Sequence, residues 1–255
     1  MLPSSDIWKP IFRNALSAFR HRYAGSGVGV FWNLIHPLIQ VVVFGGVAWV
    51  IRGSSGGTLG GLVLCCALLP WLSFSEAVLQ SSQAILRNSG FMRTMSISAA
   101  VFVAESALVS LLGMFVTLGL LIVAVISVQG TVRPEIALAC VAVVLLHAFA
   151  FGLALALSAM TVLLPDVSEM LRSVLHLWMW TMPIVYSKGR TPSAWAWTFD
   201  FNPPWIFIRS IRDLLVGGAP VSLGEWAGMV GCAALAIGLG LTVQRRLDSS
   251  VRDLL

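Results

Sequence analysis

Long apolar stretches divide this chain, and they constrain its fold more than any other feature of the sequence. Most of them approach or exceed the roughly 20 residues that an α-helix needs to cross the hydrocarbon core of a bilayer. Since lipid offers no hydrogen bonds to exposed backbone groups, such stretches must fold as helices. We predict an all-α integral membrane protein with six transmembrane helices, at residues 28–51, 58–75, 97–128, 136–164, 174–186 and 226–243.

Composition excludes a soluble domain of this length. Hydrophobic residues make up 58% of the 255 residues and charged residues only 11%, whereas a soluble domain carries about 25% charged residues. No repeat, linker or second apolar pattern divides the chain, so we predict a single transmembrane domain over residues 1–255. The four cysteines lie inside apolar stretches without the spacing of a metal site, and we interpret them as small buried side chains.

The distribution of charge predicts the orientation. An even number of spans places both termini on the same side of the membrane. Of the 16 lysines and arginines, more lie in segments on that side than on the other, which predicts cytoplasmic termini. The same rule accounts for the net charge of +5 without a nucleic-acid partner.

The N-terminal residues 6–22 have the pattern of an amphipathic helix. One helical face is apolar, and basic residues lie along its border, which is typical of a helix in the membrane interface. The apolar face consists of Trp8, Ile11, Phe12, Ala15, Leu16 and Phe19. The pattern fits either a simple membrane anchor or a gate at the inner mouth of a pathway.

The segment 187–225, between the last two predicted spans, is rich in aromatic residues. Together with the short fifth span and Pro183, it predicts short helices that re-enter the outer leaflet. The tryptophans fit an interfacial belt, or alternatively a pathway on whose aromatic faces a sugar chain could slide. The tryptophans in and after the fifth span are Trp178, Trp180, Trp195, Trp197 and Trp205.

Between the second and third spans, the segment Gln80–Ser96 combines polar and apolar residues. It predicts either a short amphipathic helix that docks on a soluble partner or a solvated connector. It carries Arg87, Asn88, Ser89, Gly90 and Arg93.

No catalytic or nucleotide-binding site is predicted from the sequence. The one match to a serine-nucleophile pattern, Gly-Ser-Ser-Gly-Gly at 53–57, lies in a Gly/Ser-rich turn between two spans without a strand-to-helix context. Neither of the two lysines, Lys9 and Lys188, follows a glycine, so the chain cannot hold a phosphate-binding loop of the Gly-Lys type. The histidines lack zinc-site spacing. Glu105 and His147, inside apolar stretches, are expected to be structural rather than a proton relay. We therefore predict no catalytic residue, no metal and no cofactor bound by this chain.

Two stretches of the sequence have a distinctive order of residues. The first, from Arg20 to Leu38, contains Arg22, Tyr23, Ser26, Gly29, Trp32 and Pro37. The second, from Asp166 to Arg212, contains Met-Pro-Ile-Val-Tyr at 182–186 and Asn202-Pro203. Both stretches resemble the ABC-2-type permeases that export polysaccharides such as O-antigen, capsule and teichoic acid, and the first is similar to the entry motif of that family. The sequence departs from the family at Pro165, where an arginine is usual, and at Val28, where leucine is usual, which leaves the substrate subtype less defined.

The resemblance implies partners and a location. Such permeases form homodimers around a central channel in the bacterial inner membrane. Two copies of a separate nucleotide-binding subunit bind ATP and Mg and dock on cytoplasmic coupling helices. The substrate would be a lipid-linked glycan that enters from the inner leaflet, and membrane lipids would surround the dimer.

The resemblance also assigns expected roles to residues. Substrate entry and the cytoplasmic gate would involve Arg20, Arg22, Tyr23, Ser26 and Trp32. Coupling to the ATPase would involve Arg87, Asn88, Gly90, Arg93 and Asp166. The outer gate and the channel aromatics would be Trp178, Trp180, Trp195, Trp197, Asn202, Trp205, Arg209 and Arg212.

Two other functions fit parts of the sequence. An ABC-2 exporter of a drug or a simple lipid would share the six-span plan, but the entry motif and the tryptophan-rich segment favour a glycan. An integral-membrane enzyme acting on lipid-linked sugars would need acidic, histidine or arginine residues clustered at one membrane face. Its only candidates are Arg209, Arg212 and Asp213, without a nucleophile or metal partner.

Overall fold

A computed structural model describes residues 13–19, 31–52, 57–94, 98–186, 199 and 201–254, and every regular element within these ranges is a helix. Residues 13–19 form the described part of helix α1. The other helices are α2 (Trp32–Arg52), α3 (Gly57–Ser82), α4 (Ala84–Arg87), α5 (Ser89–Thr94), α6 (Ala99–Gln129), α7 (Ile136–Leu163), α8 (Val167–Trp180), α9 (Pro203–Val216) and α10 (Leu223–Leu254).

Four helices in the described ranges are long and apolar enough to cross a membrane. These candidate spans are Leu59–Ser82, Ala99–Gln129, Ile136–Leu163 and Leu223–Asp248. Helix α2 has 21 residues but a shorter apolar stretch, Leu34–Val47. The all-helical membrane architecture is thus confirmed, while the count of six spans stays a prediction.

Three helices differ from the bounds that hydropathy suggested. Helix α3 continues past residue 75 to Ser82. Its last turns contain polar residues, which hydropathy does not detect but which side-chain hydrogen bonds can hold in a helix. Gln80, for example, donates to Glu76 one turn earlier. Helix α10 likewise runs beyond residue 243 into the charged C-terminal segment. Helix α8 begins at Val167 and ends at Trp180, before Pro183, which has no N–H to extend the helix.

Helices α7 and α10 pack at unusually short range. A methyl group built on Gly152 of α7 would overlap the backbone of Ala236 and Ile237 in α10. One built on Gly240 of α10 would overlap the carbonyl of Gly152. Small residues permit such close contact between membrane helices, where packing rather than the hydrophobic effect drives association.

Helix α3 is the centre of the bundle and packs against α2, α6, α7 and α9. One face, formed by Ala67, Trp71, Phe74 and Val78, is at most 1% exposed. Phe74 stacks on Phe149 of α7, with ring centroids 5.8 Å apart.

The stack continues into helix α9. Phe149 stacks in turn on Phe207 at 5.5 Å, near the middle of α7. Trp178 of α8 meets Trp71 and Phe74 edge-on. The aromatic cluster, as we call these five residues, therefore joins four helices.

Helices α8 and α9 occupy successive parts of the bundle along its long axis. We call the end where α3 passes to α4 the α4 end, and the end with the α6–α7 connection the opposite end. Helix α8 follows directly on α7 at the α4 end and brings Trp178 to the aromatic cluster. Helix α9 starts beside Trp178, and its last carbonyls, on Leu215 and Val216, accept hydrogen bonds from Arg133 and Gln129 at the opposite end.

Candidate functional site

A polar cleft between α2, α3 and α6 is the first candidate site. Its volume is about 190 Å³. The residues that line it are Trp32, His36, Pro37, Gln40, Leu69, Leu72, Ser73, Glu76, Ser110, Gly113, Met114 and Thr117. On α3 the lining residues recur at helical spacing, so the cleft and the aromatic cluster occupy opposite faces of the same helix.

Hydrogen bonds organise the walls of the cleft. On α2, His36 and Gln40 bring their side-chain nitrogens within 3.3 Å of each other. On α3, the Ser73 hydroxyl lies 3.3 Å from Nε2 of His147, which is buried behind it in α7. On α6, Thr117 Oγ1 donates to the carbonyl of Gly113 at 3.2 Å, so the hydroxyl oxygen can still accept. The cleft therefore combines hydroxyl, amide, carboxylate and imidazole groups with the half-exposed ring of Trp32.

Helix α1 lies next to this cleft. The Phe19 ring comes to 4.0 Å from the position that a side chain on Gly113 would take. Ala15 is fully buried, so α1 packs on the bundle rather than projecting from it. Of the predicted entry residues, the structure places Trp32 in the cleft wall. Arg20, Arg22, Tyr23 and Ser26 lie outside the described residues.

The predicted coupling segment folds as two short helices, α4 and α5, at the α4 end. The Arg87 guanidinium donates to the Gln80 carbonyl of α3 and to Ser106 Oγ of α6, the latter at 3.3 Å. Asn88 Nδ2 donates to the Ala84 carbonyl at 2.7 Å. Arg87 thus fixes α4 to two long helices, which would let α4 move with them as a unit.

Other coupling residues differ in exposure. Gly90 and the neighbouring Phe91 are exposed on α5, while Ile85 of α4 is fully buried. Asp166 is exposed at the start of α8, where its backbone carbonyl accepts hydrogen bonds from Glu169 and Met170. The side chain of Arg93 falls outside the description. The exposed side of α4 and α5, with Leu86 and Phe91, is the surface that a soluble partner could cover.

A second candidate site joins α8 to α9 beside the aromatic cluster. Asn202 is only 8% exposed, and its side chain is bonded at both ends. Its Oδ1 accepts from Trp178 Nε1 at 3.0 Å, and its Nδ2 donates to Thr181 Oγ1 at 2.9 Å. We call these two hydrogen bonds of Asn202 the polar knot. They join the end of α8 to the start of α9.

The C-terminal part of α9 carries a charged network. Arg209 bridges Glu225 of α10 at 3.2 Å and Asp213 at 3.5 Å. Arg212 bonds Asp213 at 2.8 Å and lies 5.4 Å from the centre of the Trp205 ring. Glu225 also caps α10 by accepting from the Ser222 N–H at 2.8 Å. These contacts tie α9 to α10 at the opposite end.

The predicted channel aromatics are distributed unevenly. Trp205 is buried at 6% exposure and Trp178 is half-buried in the aromatic cluster, whereas Trp180 is 52% exposed. Trp195 and Trp197 fall in the part of the chain that is not described. Five residues named for the outer gate and channel have structural contacts, and their role in a channel stays a prediction: Trp178, Asn202, Trp205, Arg209 and Arg212.

Sequence reasoning missed most of the polar cleft. His36 and Gln40 lie one turn apart on α2, and Ser73 and Glu76 lie one turn apart on α3. Polar pairs at this spacing inside apolar stretches were the available signal. Within the described ranges, no three His, Cys, Asp or Glu side chains are grouped as metal ligands would be.

Comparison of the sequence with known proteins identifies its family. The sequence profile described as ABC-2 type transporter matches residues 11–216. An "O-antigen export system permease protein RfbA" of Klebsiella pneumoniae is 22% identical over 200 residues, which are 77% of this chain and 76% of that protein. A protein of the same name from Myxococcus xanthus is 23% identical over 184 residues, or 71% of this chain and 70% of that protein.

Proposed function

Because this chain belongs to the ABC-2 type transporter family, we propose that it is the channel-forming transmembrane subunit of an ATP-driven exporter. Its cargo is a lipid-linked polysaccharide, which it moves from the cytoplasmic side across the bacterial inner membrane. The chain acts as a homodimer with two copies of a separate ATPase subunit, and its termini face the cytoplasm. The observation that carries the proposal is the similarity, over about three quarters of the chain, to proteins named O-antigen export permeases.

Two features of the structure support transport. Helices α8 and α9 divide the depth of the bundle between them, which fits a short fifth span followed by a re-entrant helix. Helices α4 and α5 offer an exposed surface at the α4 end, where an ATPase would dock.

The proposed mechanism follows from the connection of α4 to the long helices. ATP binding draws the two partner subunits together, and each pushes on α4 and α5. Since Arg87 bonds α4 to both α3 and α6, that push moves these helices as a rigid unit. The movement changes the distance between protomers and opens the pathway.

Co-purification from native membranes tests this proposal. We expect the tagged chain, extracted with mild detergent, to bring down a stoichiometric ATPase that carries a phosphate-binding loop, together with a lipid-linked glycan. Mass spectrometry identifies both components. Recovery of the ATPase with a small lipid or drug would favour the other type of ABC-2 exporter. Recovery of an intact dimer without any ATPase would contradict the proposal.

A further inference from the structure

The polar cleft between α2, α3 and α6 has no role in the mechanism described so far. It contains seven hydrogen-bonding side chains on three mostly apolar helices, those of Trp32, His36, Gln40, Ser73, Glu76, Ser110 and Thr117. Polar groups at membrane depth are costly unless protein, water or a ligand satisfies them. The intrahelical bonds of Ser110 and Thr117 use their hydrogens and leave hydroxyl oxygens as acceptors. The cleft is therefore equipped to receive hydrogen-bond donors.

The size of the cleft limits its occupant. Pockets for drug-sized ligands enclose about 300–1,000 Å³, and this cleft encloses about 190 Å³. It can accept one small ring but not several. A polymer could therefore present only one of its units here.

The chemistry of the walls defines which ring fits. The carboxylate of Glu76 can accept hydrogen bonds from hydroxyl groups, and the amide of Gln40 and the hydroxyl of Ser73 can both accept and donate them. Trp32, 38% exposed, offers an aromatic face. A hydroxyl-rich ring with an apolar face uses both kinds of surface, whereas a phosphate would be repelled by the Glu76 carboxylate.

We propose that this cleft is a binding subsite for a single sugar ring, with the ring against Trp32 and its hydroxyls bonded to Gln40, Ser73, Glu76 and Thr117. The proposal rests on the proposed function, because the ring belongs to the lipid-linked glycan that the chain exports. Glu76 lies six residues before the end of α3 at Ser82, so the subsite is nearer to the α4 end. Helix α1, which packs beside it through Phe19, borders the route by which a lipid-linked sugar reaches it.

Photolabelling tests the subsite directly. The complex from native membranes, in phosphatidylcholine nanodiscs, is exposed to octyl β-glucoside that carries a diazirine close to the glycosidic bond. Octyl phosphate with the same diazirine serves as the comparison probe. We expect the glucoside to label peptides of α2, α3 and α6, and the phosphate to label them at least about tenfold less, as expected when a charged acceptor faces an anion.

Matched substitutions locate the labelling. Glu76→Gln keeps the shape and an oxygen for Gln80, and should lower labelling by the glucoside about tenfold through loss of a charged hydrogen bond. Thr117→Val removes a hydroxyl from the cleft, whereas Thr242→Val removes one from α10; both hydroxyls donate to the glycine carbonyl four residues earlier. Of the two threonine variants, only Thr117→Val should reduce labelling by the glucoside.

The result that would overturn the subsite is equal labelling by both probes, labelling outside α2, α3 and α6, or labelling unchanged in Glu76→Gln and Thr117→Val. Failure of the proposed export function can be distinguished from failure of the subsite. If the cleft is labelled as expected but ATP drives no export of glycan, the subsite stands and the export does not. If export is normal and the cleft is unlabelled, only the subsite is contradicted.

Discussion

Replacing Gly240 with alanine is expected to destabilise the protein severely, because a methyl group there overlaps the Gly152 carbonyl and the Leu155 side chain. The colliding carbonyl belongs to the backbone of α7, so the helices must move apart. Overpacking of this kind costs about 1–3 kcal/mol or more, a large share of the roughly 5–15 kcal/mol by which proteins are stable. Gly152→Ala should behave in the same way, since its methyl meets the backbone of α10.

A matched control lies two residues away on the same helix. A methyl group on Gly238 would meet no atom within 4 Å in the described structure. Gly238→Ala should therefore be neutral, or stabilising by up to about 1 kcal/mol through helix propensity. The measurement is the thermal unfolding midpoint and monodisperse yield of each variant in the same detergent. Equal behaviour of Gly238→Ala and Gly240→Ala would show that α7 and α10 do not pack through these glycines.

The second large effect is expected at Asn202. Asn202→Leu fills the space but leaves the half-buried Trp178 N–H without its acceptor. It also removes the donor to Thr181 Oγ1, an exposed hydroxyl that still donates to the Trp178 carbonyl. A buried donor left unsatisfied costs about 1–3 kcal/mol. The Asn202 side chain does not cap α9. The lost stability therefore measures the hydrogen bonds between α8 and Asn202 rather than the capping of α9. We expect a lower unfolding midpoint and a loss of export larger than the loss of folded protein.

A double-mutant cycle separates the bond from other effects of the substitution. Trp178→Phe removes the N–H donor and keeps an aromatic ring against Trp71 and Phe74. If Trp178 and Asn202 stabilise the fold through their bond, the double variant is less destabilised than the sum of the two single variants. Measured coupling energies between membrane helices average about 0.6 and reach about 1.7 kcal/mol. Strict additivity would contradict the polar knot.

The helical architecture could be predicted from sequence because hydropathy decides it. Apolar length alone identified α6 and α7 almost residue by residue, and the flanking Gly130 and Pro165 mark where they end. The ends of α3 and α10 could not be predicted in this way. Both helices continue into polar segments, where local hydrogen bonds rather than membrane thickness set the length.

The candidate sites were less accessible to sequence reasoning. Trp178 and Asn202 were singled out as residues of an outer gate, but their mutual bond depends on how α8 and α9 meet in three dimensions. The cleft depends on how three helices pack against one another, which the sequence pattern of each helix does not reveal. His36, Ser73 and Thr117 each have an ordinary explanation when considered alone, and only their proximity gives them a common role.

The central claim is that this chain conducts a lipid-linked glycan when a partner hydrolyses ATP, and inverted inner-membrane vesicles test it most directly. In these vesicles the cytoplasmic face points outward, so added ATP reaches the ATPase and exported glycan becomes enclosed. The account predicts that lipid-linked glycan becomes protected from an added glycosidase only with ATP and only in vesicles that contain this chain. Glycan that stays accessible with ATP, or becomes protected equally without the chain, would contradict the account.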